Sequence, residues 1–124
     1  MASLVDTNIL VYRHDPRFPT KQAIARDLLR QGLVDQDLVL PHQAIVEFVA
    51  ATTRPRADLE GAPLLTPGEA GREAEGLLRE FPVVYPDREL VVTALRGVAS
   101  LGLCWLDACL WAYAEVNGLA QILS

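Results

Sequence analysis

Residues 2–15 read ASLVDTNILVYRHD. A small-and-apolar run, Ala2 to Val5, stops at Asp6, continues through Thr7 and Asn8, and gives way at once to Ile9, Leu10 and Val11. The run 2–6 reads as a short buried strand. A buried strand that ends in a carboxylate is costly unless something cationic or hydrogen-bonding meets the charge. Two readings of Asp6 follow. Either it caps the next helix by accepting a backbone amide, or it sits in a ligand site beyond the strand's carboxyl end.

The rest of the chain repeats the same alternation. TKQAIARDLLR (20–30) places Ala23, Ile24, Leu28 and Leu29 at helical spacing, with Gly32 as the expected stop. DLVLP (37–41) reads as a second strand, HQAIVEFVAATTR (42–54) as a mostly apolar helix and PRADLEGAP (55–63) as a loop. Thr66, Pro67 and Glu69 spell out a helix start, with a capping box and a proline in the first turn. PVVYP (82–86) is a third short strand. Residues 87–102 and 105–118 read as two more helices, the latter ended by Gly118, and LAQIL (119–123) as a last strand. Short apolar strands alternating with longer helices predict a parallel sheet covered on both faces, a three-layer α/β/α domain.

Bulk properties narrow the function. The 124 residues suit one domain, 1–124, and 51% hydrophobic residues suffice for a core. A formal charge of −5 argues against sequence-independent binding of duplex DNA. It leaves nucleic-acid substrates open, because acidic residues around a metal ion change sign locally. Cys104 and Cys109 lie in apolar surroundings and read as core thiols in a reducing compartment. The start of the sequence lacks signal-peptide features, and no run approaches the roughly 20 apolar residues of a membrane span. The expectation is a soluble cytoplasmic protein.

Two further acids stand out. Glu47 lies among Ala44, Ile45, Val46, Phe48, Val49, Ala50 and Ala51, with no basic residue at helical spacing. It either reaches solvent along a narrow stripe or meets a partner inside. Asp107 carries the only charge between Arg96 and Glu115. A first-turn role is the simpler account of it, a ligand role the sharper one. Carboxylates brought together repel unless a cation sits between them. An all-oxygen set favours Mg²⁺ or Mn²⁺ over zinc, and such an ion suits attack of water on a phosphodiester. His14 and His42 lack metal-binding spacing, and the sequence holds no glycine-rich phosphate loop or nucleophile elbow. Arg13, Arg17, Lys21, Arg26 and Arg30 are five of the 11 basic residues, and Arg54 and Arg56 directly follow the Glu47 helix. Arg13, Lys21, Arg54 and Arg56 are candidates for holding substrate phosphates, against the alternative of a solvated surface.

LVDTNILVY, IVEFVAATTRP and WLDACLWAYAEVNGLAQILS, in that order, resemble the PIN-domain family, and within it the VapC-type toxin ribonucleases. The resemblance implies an acidic pocket that binds Mg²⁺ or Mn²⁺ and cleaves RNA internally. Residue by residue, Asp6, Glu47 and Asp107 match the family's acidic ligands, while Asn8 and Thr7 would orient Asp6. It also implies a cognate antitoxin and a homodimer. The family usually places a further acidic residue after the last strand, and the sequence stops at Ser124 where that segment would begin. This favours an alternative, a catalytically impaired PIN fold that serves as a protein-binding module. Phosphatase chemistry on a strand-end aspartate is weakened because DTN lacks a second Asp two residues on.

Overall fold

Leu4 and Val5 are adjacent, and both are fully buried, yet they enter two different apolar clusters. That is the consequence of a strand whose successive side chains face opposite sides, and it defines the three layers. The computed structural model describes residues 2–124. Its order is β1 (Ser3–Val5), α1 (Thr7–Tyr12), α2 (Pro19–Asp35), β2 (Leu38–Pro41), α3 (His42–Thr53), α4 (Pro67–Glu80), β3 (Val83–Val84), α5 (Arg88–Leu101), α6 (Trp105–Val116) and β4 (Ile122–Leu123).

The four strands form one parallel sheet in the order β3-β2-β1-β4. Ser3 pairs with Leu38, Leu4 with both Val39 and Ile122, and Leu40 with Val83. Val5, Leu38 and Leu40 point into a cluster with Leu10, Leu29, Phe48 and Leu77, which belongs to helices α1 to α4. Leu4 points the other way, against Leu90, Ala94, Ala108 and Ala112 of α5 and α6. The α/β/α sandwich expected from the sequence is the observed architecture.

Three local details differ from the sequence pattern. Helix α2 does not stop at Gly32 but runs on to Asp35, closed by Gln36 in the left-handed conformation (φ 55°). Gly32 is there for space. A Cβ on it would stand 2.1 Å from Leu38 Cδ1, so α2 lies directly on β2 because this residue has no side chain. The loop 55–63 contains a 3-10 turn, Ala57–Leu59. Helix α1 has too little apolar periodicity to be visible in sequence, and tertiary packing on α3 holds its six residues in place. The capping box at Thr66 and Glu69 is formed in both directions. No helix of the described residues is long and apolar enough to cross a membrane.

Candidate active site

The strand order reverses at β1: β2 and β3 lie on one side of it and β4 on the other. In an open parallel sheet the crevice beyond the carboxyl ends at such a reversal is where ligands gather. Asp6 ends β1 there. It also serves as N-cap of α1, its Oδ1 accepting the Thr7 amide at 2.7 Å, while the Ser124 hydroxyl, just past β4, lies 3.3 Å from Oδ2. Asp6 thus caps α1 through one oxygen while the residue lines the crevice.

Glu47 projects from α3 into the same space. Its Oε2 accepts the Thr7 hydroxyl at 2.7 Å and its Oε1 accepts Gln43 Nε2 at 3.0 Å. Gln43 sits one turn earlier on the same face, which explains how an acid is tolerated in so apolar a helix. Thr7 thus ties two carboxylates together, its amide to Asp6 and its hydroxyl to Glu47. Asn8 lies exposed at the crevice, without a side-chain hydrogen bond to Asp6 among the described residues. Asp107, in the first turn of α6, is exposed on the facing wall. Asp6, Glu47 and Asp107, from three separate elements, line one cleft of about 550 Å³. Burial and then the Glu47 charge push the Cys109 thiol up, so it stays protonated at neutral pH.

The cations divide into two groups. Arg54 and Arg56 line the cleft; one Arg56 amine donates to the Ala51 carbonyl at 2.8 Å. Lys21 lines an adjoining hollow. Arg13 is not brought to the cleft: its guanidinium lies 3.8 Å from Glu73 on α4. His14 lies beside the same glutamate and tilts against Phe48, and burial, then Arg13, holds its imidazole below the ordinary range and neutral at pH 7.

The cleft also has members that sequence reasoning did not single out. Asp15 is 2% exposed and receives Arg17 through Nε at 2.9 Å and a second amine at 2.8 Å. The remaining Arg17 amine bonds Asp58 in the 55–63 loop, tying that loop over the α1–α2 connection. The Arg17 hydrogen bonds hold Asp15 below the usual carboxylate range, and its two aspartates hold Arg17 protonated. Nothing in the sequence marks this trio, because Asp58 lies 41 residues from Arg17. Tyr12, Phe18 and Gln43 also line the cleft.

In kind, the donors fit a hard divalent cation: carboxylate oxygens from Asp6, Glu47 and Asp107, with hydroxyls of Thr7 and Ser124 beside them. In position, no three His, Cys, Asp or Glu side chains of the described residues converge closely enough to hold one ion. Glu47 is turned to Thr7 and Gln43.

A three-layer parallel domain with an acidic crevice at its strand reversal is a recognisable class, and the family model agrees with it. The PIN domain model matches residues 3–124, and the chain belongs to that family. Among solved structures, a chain described as "Toxin-antitoxin complex from Klebsiella pneumoniae" is similar at 18% identity and a TM-score of 0.63. The match covers 98% of this chain and 85% of that one. No curated protein matches.

Proposed function

We propose that this chain is a metal-dependent endoribonuclease, the toxin of a toxin–antitoxin pair. The observation that carries the reading is that Asp6, Glu47 and Asp107 all line one cleft, at the strand reversal of a PIN fold. The ligands would be these three acids, holding Mg²⁺ or Mn²⁺. When bound, such an ion lowers the pKa of its water and steadies charge on the phosphate. The chain's own residues do the rest. Thr7 fixes the spacing of Asp6 and Glu47, and Ser124 steadies the outer oxygen of Asp6. Arg54 and Arg56 face the cleft with no carboxylate partner within ion-pair distance among the described residues, so they are available for flanking phosphates.

The partners in this reading are RNA, a cognate antitoxin and a second copy of the chain, in the cytoplasm. Support for protein contacts is the apolar surface of Val91, Leu95 and Leu101 on α5 with Trp105 and Leu106 on α6, all exposed. The similar toxin–antitoxin complex supports the antitoxin. The test is incubation of the pure protein with structured RNA in Mn²⁺ or EDTA. Cleavage in Mn²⁺ alone, lost in a folded Asp6→Asn variant, is the expected outcome. Asp6→Asn cleaving like wild type would remove Asp6 from the site.

One observation favours a second reading, a PIN fold that binds proteins without cutting RNA. Glu47 is already satisfied by Thr7 and Gln43, and the acids do not converge on one point. Absence of Mn²⁺-dependent cleavage and of Mn²⁺-dependent thermal stabilisation would decide for it.

A further inference from the structure

Phe18 leaves 43% of its surface exposed at the start of α2, where a buried position would have been more favourable. Its surroundings are specific. The Tyr12 ring meets it edge to face, centroids 6.0 Å apart at 82°. Lys21 Nζ stands 4.9 Å from the Tyr12 ring and 5.4 Å from the Phe18 ring, and Arg17 Cζ stands 5.4 Å from Phe18. Both rings line the cleft that contains the three carboxylates, and Phe18 with Lys21 continues into a hollow outside it.

The charges here are unequal. Arg17 is consumed by Asp15 and Asp58, whereas Lys21 has no carboxylate partner among the described residues and donates only to the Tyr12 hydroxyl at 3.2 Å. An uncompensated cation beside a part-exposed Phe18 ring, in a chain of net charge −5, is a local attraction for a polyanion that carries flat rings.

We propose that Phe18, buttressed edge-on by Tyr12 and flanked by Lys21, forms a stacking platform for an unpaired base of single-stranded RNA, adjoining the phosphodiester presented to the carboxylates. This rests on the nuclease reading above. Base-on-aromatic stacking accepts any base, because each has a π-face. A duplex keeps its bases stacked on each other, so the platform selects loops, bulges and single strands. Asp15 and Asp58 act as positioning residues, since they fix Arg17 and through it the Phe18 turn.

The test measures anisotropy of a labelled single-stranded RNA of about 12 nucleotides and of an abasic strand with the same backbone, in EDTA so that neither is cut. Wild type should bind the base-bearing strand more tightly. Phe18→Leu should weaken that binding at least about fivefold, the low end of what stacking supplies, and leave the abasic strand unchanged. Phe18→Trp should restore wild-type affinity, which separates stacking from a folding defect. Lys21→Gln should weaken both strands alike. Equal affinities of wild type for the two strands, or Phe18→Leu binding like wild type, overturns the platform while the nuclease reading stands. In the second case, weakened antitoxin binding by Phe18→Leu would give the rim to a protein partner. Failure of wild type to bind either strand overturns the platform, while the nuclease reading stands or falls on cleavage in Mn²⁺.

Discussion

Replacing Glu47 by glutamine sets two effects of opposite sign against each other. Three acids in one cleft repel, so neutralising one should stabilise the metal-free protein. The geometry argues otherwise. Across largely aqueous surroundings the repulsion between such charges is about 1 kcal/mol or less. Against it stand two hydrogen bonds to the carboxylate, from Thr7 Oγ1 at 2.7 Å and Gln43 Nε2 at 3.0 Å. Bonds to a charged acceptor contribute about 1.5–3 kcal/mol each, and neutral ones about 1. In the Glu47→Gln variant the Thr7 bond survives as a neutral one, but the new NH₂ faces the Gln43 NH₂, and Gln43 must turn its amide over to pair with it. The loss is about 1–4 kcal/mol, which over most of that range exceeds the relief. With an unfolding entropy of about 0.26 kcal/mol/K for 124 residues, a net loss of about 1 kcal/mol lowers Tm by about 4 °C. Thermal melts in EDTA read this directly. Adding Mg²⁺ should then raise the Tm of wild type and move the variant much less, because a ligand stabilises only the state that binds it. A variant that melts higher than wild type in EDTA would refute the argument and show that repulsion dominates.

Three further outcomes are expected. Gly32→Ala should destabilise by about 1–3 kcal/mol in urea unfolding, since its Cβ meets Leu38 Cδ1 at 2.1 Å and Cγ at 2.4 Å. Leu38→Ala should accordingly cost less in that background than in wild type, and equal costs would dismiss the contact. Asp15 is held below the usual carboxylate range by Arg17, so the folded state binds its proton less well than the unfolded state. Its stabilisation is complete above about pH 5 and is lost as pH falls through the carboxylate range, so Asp15→Asn should flatten the acid limb of a stability–pH curve. Parallel curves would count against it. Asp6→Asn should keep the wild-type fold by circular dichroism while losing Mn²⁺-dependent cleavage, because it retains the size of the side chain and an oxygen to cap α1.

Periodicity and punctuation made the layers legible from residues alone. Apolar runs of three to five residues between helices of ten or more admit few arrangements besides a covered parallel sheet. Thr66, Pro67 and Glu69 mark their helix start unaided, because a capping box is made by neighbours in sequence. The anomaly at Asp6 and the isolation of Glu47 and Asp107 were equally visible, since a charge inside an apolar element stands out without knowledge of its surroundings. Tertiary structure decided what those charges meet. That Gly32 ends nothing and instead admits Leu38 depends on how α2 lies on β2. That Arg13 turns to Glu73 while Arg17 joins Asp15 and Asp58 depends on contacts across tens of residues. Local pattern records which residues want burial or a partner; only the closed fold, through distances between residues far apart in the chain, selects which partner each one finds.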